Sequence, residues 1–252
     1  MNYFDLAGKK AIVVGGAGDL GKGMMKALLE AGAEAVVIDM GTRAQEAAQE
    51  LRAQGFCVSG VTANVTDDVQ IEASFREALA LLGGRVDILL NTAGIQRRYK
   101  CEEFPKADWD LVLQINLTAL FRYCQLAGRV MLEQGSGKII NIASMLSFFG
   151  GYTVPAYAAS KGGVAQLTKA LSNEWAGRGI NVNAIAPGYM DTALNVNIVN
   201  DKNRNDEILA RIPTHRWGNS DDLKGVVVFL ASAASDYVSG AVIPVDGGYL
   251  GR

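Results

Sequence analysis

Residues 10–23 read Lys-Ala-Ile-Val-Val-Gly-Gly-Ala-Gly-Asp-Leu-Gly-Lys-Gly, an apolar run that leads directly into a glycine-rich loop. A helical run follows, so the stretch predicts a strand, a tight turn and a helix. Glycines in such a turn let the backbone approach a pyrophosphate, whose charge is favoured by the free N–H groups at a helix start. The spacing Gly16-x-Gly18-x-x-Gly21 therefore indicates a dinucleotide-binding loop. The competing P-loop pattern fails, because Gly23 stands where a hydroxyl residue must bind magnesium.

Further along the chain, strand-like runs alternate with amphipathic helical ones such as Asp68 to Leu82 and Val164 to Trp175. This alternation predicts parallel strands covered on both faces by right-handed crossovers. The expected fold is α/β, a doubly wound Rossmann sheet of seven strands in a single domain that spans residues 1–252. The candidate strands are Lys10 to Val14, Ala35 to Asp39, Cys57 to Val61, Val86 to Leu90, Lys138 to Ile142, Ile180 to Ile185 and Ala241 to Val245.

Asp39 ends the second predicted strand, 18 residues beyond Gly21. A carboxylate at this place can accept hydrogen bonds from an adenosine ribose, and it would repel a 2′-phosphate. Arg43 is the one nearby cation that could soften this preference, although such a residue more often occupies a solvated helix position. The sequence therefore favours NAD over NADP.

Composition and charge exclude several classes of function. The net charge of −2, without a long Lys/Arg block, argues against nucleic acid and anionic membranes as partners. Neither a signal-like amino terminus nor an apolar run of membrane-spanning length is present, so a cytoplasmic location is expected. Three cysteines without CxxC spacing suit reduced thiols. His215 is the only histidine, which excludes a Ser-His-Asp triad and a histidine metal cluster, and no metal site is expected.

Tyr157 and Lys161 stand four residues apart in a run that predicts a helix, so their head groups lie on the same face. Lowering a tyrosine pKa from about 10 to about 7 needs roughly 4 kcal/mol, which an ammonium about 4 Å away supplies at an effective dielectric of about 20. Such a pair alone occurs on many solvated surfaces. Here Ser144 ends the buried run Lys138 to Ala143, at the strand end where open α/β sheets bind ligands. The residues therefore indicate an acid or base that works at neutral pH.

Together these motifs resemble the short-chain dehydrogenase/reductase family over essentially the whole chain. The resemblance rests on Gly15-x-x-x-Asp19-x-Gly21, Asn64-Val65, Asn91-Thr-Ala-Gly94, Asn116, Ser144, Tyr157-x-x-x-Lys161 and Pro187-Gly188 followed by Thr192. The family implies a homotetramer and hydride transfer between nicotinamide and an alcohol or ketone. It also implies a set of cofactor-binding residues: Gly15, Gly18, Asp19, Leu20, Gly21, Asp39, Asn64, Val65, Asn91, Ala93, Gly94, Tyr157, Lys161, Pro187, Gly188, Met190 and Thr192.

The resemblance further implies a catalytic tetrad of Asn116, Ser144, Tyr157 and Lys161. Ser144 and Tyr157 would donate hydrogen bonds to a ketone oxygen. Lys161 would lower the pKa of Tyr157 and hold the nicotinamide ribose, while Asn116 would position a water that links Lys161 to solvent. Tyr157 would thus exchange a proton with the substrate.

Four positions depart from the family pattern. Val14 replaces the usual Thr, Asp19 the middle Gly, Thr92 the second Asn of the usual NNAG, and Asn64 an adenine-contacting Asp. Asp19 adds a negative charge near the pyrophosphate side of the loop. The departures therefore bear on cofactor contacts and leave the tetrad unchanged.

Arg97 and Arg98 lie on the loop that leaves the fourth predicted strand at its ligand-binding end. An arginine there can bind a carboxylate through two parallel hydrogen bonds, and the alternative is a pair of surface charges that aid solubility. Several stretches resemble the subgroup of the family that acts on keto-deoxy sugar acids such as 2-dehydro-3-deoxy-D-gluconate: residues 94–98, 141–148, 183–190, 211–213 and 216–218. That resemblance implies a sugar-acid substrate whose carboxylate is bound by Arg97 or Arg98. The other expected pocket residues are Met145, Tyr157, Tyr189 and Trp217, and Trp217 also fits a core or interface position.

Other functions stay open at this point. A gluconate or polyol dehydrogenase would differ only in pocket residues. A 3-oxoacyl reductase would share the tetrad but prefer NADPH and a basic face for its acidic carrier. An NAD-sensing binding protein would bind the cofactor without needing Tyr157 and Lys161 together. The polar stretch Leu194 to Arg211 fits either a mobile lid over the pocket or an ordinary surface helical hairpin.

Overall fold

The computed structural model describes residues 2–193 and 195–252. Its strands are β1 Lys10–Val14, β2 Glu34–Asp39, β3 Val58–Thr62, β4 Ile88–Asn91, β5 Gly137–Ile142, β6 Ile180–Pro187 and β7 Val242–Val245. Within those described residues they form one parallel sheet of seven strands in the order β3-β2-β1-β4-β5-β6-β7. This architecture confirms the doubly wound sheet that the sequence predicts, and the expected strand ends differ from the observed ones by no more than two residues.

Helices cover both faces of the sheet. They are α1 Asp19–Glu30, α2 Arg43–Ala53, α3 Asp68–Leu81, α4 Lys106–Leu113, α5 Leu120–Gln134, α6 Pro155–Trp175, α7 Val196–Val199, α8 Lys202–Arg211 and α9 Lys224–Ala231. A π-helical turn, Gln114–Ala119, joins α4 to α5. Across the described ranges, none of these helices is both long enough and apolar enough to cross a membrane.

Two hydrophobic layers hold the helices to the sheet. Alternate residues of each strand point to opposite faces, so Ile12 packs with α3, α5 and α6, whereas Val13 packs with α1, α2 and α9. Both side chains are fully buried. Strands buried on both faces consist of continuous apolar runs, which is why the sequence reveals them so clearly.

The sheet reverses its winding direction between β1 and β4, and such a switch point opens a crevice at the carboxyl ends of the strands. Val14 pairs with Asn91, and Asn91 pairs with Asn141, so β1, β4 and β5 end at similar heights. The loops that leave these three strands therefore meet at one edge of the sheet. That edge holds the predicted dinucleotide loop and the predicted tetrad.

Residues 195–211 form the helical hairpin of α7 and α8, and Leu194, the first residue of the predicted lid, lies outside the described residues. Ile208 and Ile212 pack in a small cluster with Met145 and Tyr249. Because Met145 directly follows Ser144, this packing brings α8 beside the predicted catalytic residues. The opening and closing of the hairpin stays a prediction.

Candidate active site

A cavity of about 670 Å³ opens at the carboxyl ends of the central strands. Its walls come from the loops after β4, β5 and β6, from the first two turns of α6, and from α8. The sequence-predicted residues that line it are Leu20, Gly94, Arg98, Ser144, Met145, Tyr157, Lys161, Pro187, Gly188, Tyr189, Met190 and Thr192. The structure thus brings three members of the predicted tetrad and one of the two candidate arginines into a single space.

Tyr157 lies in the first turn of α6, which starts at Pro155, a residue suited to a helix start because it needs no backbone hydrogen bond there. Burial raises the pKa of Tyr157 above its ordinary value, and a hydrogen bond with Ser144 partly offsets that increase. The Ser144 hydroxyl also accepts a hydrogen bond from the backbone N–H of Leu146 at 3.2 Å. Ser144 and Tyr157 therefore present two hydroxyl groups to the same part of the cavity.

Lys161 is buried, with 3% of its surface exposed, and its Nζ donates a hydrogen bond to the backbone oxygen of Ile142 at 2.6 Å. The Nζ atom lies 5.6 Å from the centroid of the Tyr157 ring. Burial lowers the pKa of Lys161 to about 8. In the protein alone, desolvation of the phenol outweighs the effects that lower its pKa, so the net pKa of Tyr157 lies above its ordinary value. The role of Lys161 in lowering that pKa stays a prediction.

Asn116 lies outside the cavity lining, fully buried in the π-helical turn. Its Oδ1 accepts a hydrogen bond from the N–H of Ile95 at 2.8 Å, and its Nδ2 donates to the Ile95 oxygen at 2.9 Å and to Ser160 Oγ at 3.1 Å. A Cβ added at Gly94 would lie 3.4 Å from Asn116 Oδ1 and 3.8 Å from Lys161 Nζ. Asn116 therefore ties the loop after β4 to α6 and stands next to Lys161.

The glycine loop is packed closely enough that it tolerates no side chains at two of its glycines. Gly15 has a φ of +80°, and a Cβ there would meet the backbone N of Ala93 at 2.4 Å. A Cβ at Gly21 would lie 2.5 Å from the Gly15 oxygen and 2.6 Å from Thr92 Oγ1. Thr92 Oγ1 in turn donates to the Val14 oxygen at 2.8 Å, so the threonine in place of the usual Asn supports this turn. The loop has the close backbone approach that a dinucleotide pyrophosphate needs.

Asp39 is held against this loop. Its Oδ2 accepts a hydrogen bond from the N–H of Ala17 at 3.0 Å, and its Oδ1 accepts one from the N–H of Met40 at 2.9 Å. Arg43 reaches back from α2, with Nη1 3.8 Å from Asp39 Oδ1. A carboxylate and a guanidinium thus stand side by side where an adenosine ribose would bind.

Asp19, the departure that sequence reasoning places near the pyrophosphate, is exposed in the first turn of α1. Its Oδ2 accepts a hydrogen bond from the backbone N–H of Ala193 at 3.0 Å. This contact links the dinucleotide loop to the segment just after Thr192. The carboxylate is therefore turned toward a backbone donor in the wall of the site.

Other predicted cofactor residues lie outside the cavity lining. Asn91 is buried in β4, where its Nδ2 donates to Asn141 Oδ1 at 3.0 Å. Asn64 is exposed, and its Oδ1 accepts hydrogen bonds from the N–H and hydroxyl of Thr66. The remaining predicted residues that do not line the cavity are Gly15, Gly18, Gly21, Val65 and Ala93.

The two candidate arginines point to different surroundings. Arg97 Nε lies 3.5 Å from Asp108 Oδ1, and its Nη1 donates to the Gln96 oxygen, whereas Arg98 lines the cavity. Trp217 is outside the cavity lining and packs edge-on against Tyr189, with ring centroids 5.5 Å apart. The structure thus brings Arg98, but neither Arg97 nor Trp217, into the cavity.

Several cavity residues escape sequence reasoning, namely Gln96, Arg204, Glu207, Arg211 and Tyr249. The guanidinium of Arg211 lies 4.7 Å above the Tyr249 ring. The spacing of Arg204 and Glu207 predicts that they share one face of a helix. That spacing does not predict whether this face of α8 is turned toward the cavity. Among the described residues, no group of three or more His, Cys, Asp or Glu side chains is placed to hold a metal ion.

A family profile described as enoyl-(acyl carrier protein) reductase matches residues 15–250. With the fold and site above, this match places the chain in the short-chain dehydrogenase/reductase family, as an oxidoreductase with a pyridine nucleotide cofactor. Within the family, the chain is 49% identical over 249 residues to 2-dehydro-3-deoxy-D-gluconate 5-dehydrogenase of Bacillus subtilis (strain 168), covering 99% of this chain and 97% of that protein.

Solved structures agree with that placement. A putative 2-deoxy-D-gluconate 3-dehydrogenase from Agrobacterium tumefaciens with bound NADP is 47% identical, with a TM-score of 0.93 and full coverage (100%) of both chains. A putative gluconate dehydrogenase from the same organism is 40% identical, with a TM-score of 0.97 and again 100% coverage of both.

Proposed function

We propose that this enzyme interconverts a ketone and a secondary alcohol on a keto-deoxy sugar acid, using NAD(H). The substrate is 2-dehydro-3-deoxy-D-gluconate or a related uronate product, and residues 1–252 act as one dinucleotide-binding and catalytic domain. The observation that carries the proposal is that Ser144, Tyr157 and Lys161 share a cavity with Arg98. The cavity therefore offers both proton-transfer groups and a cation for a carboxylate.

The residues present fit a dinucleotide. Because Gly15 and Gly21 have no side chains, a pyrophosphate could approach the loop after β1 at the start of α1. Asp39, which is hydrogen-bonded to the same loop, would bind the adenosine ribose. When bound, the nicotinamide supplies or accepts the hydride. The protein residues orient the substrate and handle the proton.

Ser144 and Tyr157 would donate hydrogen bonds to the ketone oxygen and stabilise the negative charge that develops on it. Because burial raises the pKa of Tyr157, its phenol keeps its proton at neutral pH and is ready to donate it during reduction. Lys161, with a pKa of about 8, lies beside the Tyr157 ring and can hold the nicotinamide ribose. Asn116 positions the loop after β4 and, through a water, would connect Lys161 to solvent.

Arg98 is proposed as the carboxylate partner, because Arg97 already contacts Asp108 and lies outside the cavity. A guanidinium binds a carboxylate through two parallel hydrogen bonds and so favours an acid over a neutral ketose. The name of the Bacillus subtilis relative supports a keto-deoxy sugar acid as the substrate.

We propose NAD as the cofactor, because the Asp39 carboxylate, held against the glycine loop, would accept hydrogen bonds from an adenosine ribose and repel a 2′-phosphate. The adjacent Arg43 and the NADP bound in a related structure favour the alternative, NADP. The ratio of kcat/KM for NADH to kcat/KM for NADPH identifies the preferred nucleotide. The homotetramer and the cytoplasmic location stay predictions.

A second candidate function is gluconate dehydrogenation, which the 0.97 TM-score to a putative gluconate dehydrogenase favours. The test is a turnover panel with NADH and NADPH against a keto-deoxy uronate-derived acid, 5-keto-D-gluconate, a neutral ketose and an acyl thioester. Fast NADH oxidation with the keto-deoxy acid supports the proposal. Turnover of the neutral ketose instead would remove the role of Arg98, and turnover of the thioester with NADPH would favour a 3-oxoacyl reductase. Nucleotide binding without any turnover would favour a sensor.

A further inference from the structure

The main cavity continues into a polar side lobe of about 370 Å³. The lobe and the main cavity share the lining residues Gln96, Arg98, Tyr152, Ile198 and Arg204. Arg98 belongs to the loop after β4, whereas Arg204 belongs to α8, so two guanidinium groups from distant parts of the sequence face one space. The lobe lies at the end of the cavity where a sugar acid would place its carboxylate if Arg98 binds it.

Arg98 is available for an anion. The arginine ion pairs that occur within residues 2–193 and 195–252 do not include it, although its neighbour Arg97 is paired with Asp108. Partial burial and the nearby charge of Arg204 both lower the pKa of Arg98, while Tyr189 raises it. Two like charges that act on each other across a shared lobe gain stability when an anion binds between them.

Arg204 forms a solvent-exposed ion pair with Glu207. It contacts Glu207, one turn further along α8, and the two side chains are 45% and 63% exposed. Exposed ion pairs of this kind contribute little to stability, so a bound carboxylate can take the place of Glu207 at little cost. Glu207 also lines the main cavity and Asp201 lines the lobe, and the charges of both carboxylates oppose the binding of an acid.

We propose that Arg98 and Arg204 together form the carboxylate site, and that Arg204 exchanges Glu207 for the substrate and thereby draws α8 onto the bound acid. This inference rests on the proposed function and extends it, because it assigns to α8 the choice of acids over neutral sugars. A neutral ketose would leave the two guanidinium groups without their anion. Such a substrate would not draw α8 toward the catalytic residues.

The fluorescence of Trp217 can report a displacement of α8, because the indole is hydrogen-bonded to that helix. Trp217 Nε1 donates a hydrogen bond to Asn205 Oδ1 at 2.6 Å, and Asn205 is the residue next to Arg204. A displacement of α8 therefore changes the surroundings of the Trp217 indole. Its fluorescence follows anion binding without any need for turnover.

The test is a titration of D-gluconate, with D-sorbitol as the neutral probe, into the NADH-bound protein, in which neither alcohol can be oxidised, while tryptophan fluorescence is recorded. Loss of a charge-assisted pair predicts that Arg204→Gln weakens D-gluconate binding about tenfold or more. Lys202→Gln is the matched control, because it removes one charge from the same helix at a side chain that is 90% exposed. It should bind like the wild type. The Asp201 cap on the backbone N–H of Arg204 is unaffected by the substitution.

Two further variants sharpen the result. Glu207→Gln should bind D-gluconate more tightly than the wild type, the opposite sign to Arg204→Gln, because it removes a competing carboxylate. Trp217→Phe should abolish the fluorescence change. The inference is overturned if the wild type does not bind D-gluconate, if Arg204→Gln binds it unchanged, or if that variant loses D-gluconate and D-sorbitol equally.

Failure of the inference can be told apart from failure of the proposed function. If D-gluconate binding depends on Arg204 but no keto-deoxy acid is turned over, the anion site stands and the proposed function fails. If the acid is turned over and Arg204→Gln retains its kcat/KM, the proposed function stands and the two-arginine site fails.

Discussion

Replacing Asp39 with Asn tests the cofactor preference at the residue that should set it. Asp39 is 8% exposed, and its two oxygens accept hydrogen bonds from the N–H groups of Ala17 and Met40. An Asn has one acceptor oxygen, so one of these N–H groups loses its partner at a cost of about 1–3 kcal/mol in unfolding free energy. The substitution removes the charge but almost none of the volume.

The larger effect is expected on cofactor choice. Two unit charges about 5 Å apart interact by about 3 kcal/mol at an effective dielectric of about 20, and solvent and Arg43 screen part of this. We therefore expect Asp39→Asn to raise the ratio of kcat/KM for NADPH to that for NADH by about tenfold or more. Steady-state kinetics with both nucleotides, beside a urea melt of each protein, separates specificity from stability. As the control, Arg43→Gln should shift the ratio the other way. An unchanged ratio in a folded Asp39→Asn protein would refute the reasoning.

The remaining predictions concern the loop and the buried pair. Gly21→Ala should raise the Kd for the nucleotide at least about tenfold, since its Cβ would lie 2.5 Å from the Gly15 oxygen, and calorimetric titration with NAD measures that Kd. Lys161 has a pKa of about 8 in the fold against 10.5 for the free side chain, so the unfolded state binds more protons between these values and stability rises with pH there. Urea melts from pH 7 to 10.5 should show that rise in the wild type and a flatter profile in Lys161→Met. Oxidation should quicken as pH increases toward the raised pKa of Tyr157, which a pH profile of kcat would record.

Periodicity explains why so much of the fold can be predicted from the sequence. The β1 strand is apolar from Ala11 to Val14 because these residues are buried on both faces of the sheet, and its end is marked by Gly15, whose φ of +80° suits a glycine. The shared face of Tyr157 and Lys161 follows from the helical period, since α6 places them one turn apart. These features depend on local backbone geometry, which the sequence records directly.

No periodic pattern in the sequence predicts which way a loop turns or how deeply a side chain is buried. Arg97 and Arg98 are adjacent, yet only Arg98 lines the cavity, because the loop after β4 is not periodic. Arg204 belongs to a hairpin far along the chain, and its approach to Arg98 depends on tertiary packing of Ile208 and Ile212. The sign of the Tyr157 pKa shift depends on burial, which spacing cannot supply.

The most direct test of the account is the turnover of a keto-deoxy sugar acid by Tyr157→Phe. The substitution removes one hydroxyl and keeps the ring, so the protein should fold like the wild type and lose at most the contact of that hydroxyl with the nucleotide. If Tyr157 supplies the proton, kcat with NADH should fall by about two to four orders of magnitude, while the Kd for NADH changes by no more than about tenfold. Near wild-type turnover by this variant would contradict the assignment of Tyr157 and with it the proposed chemistry.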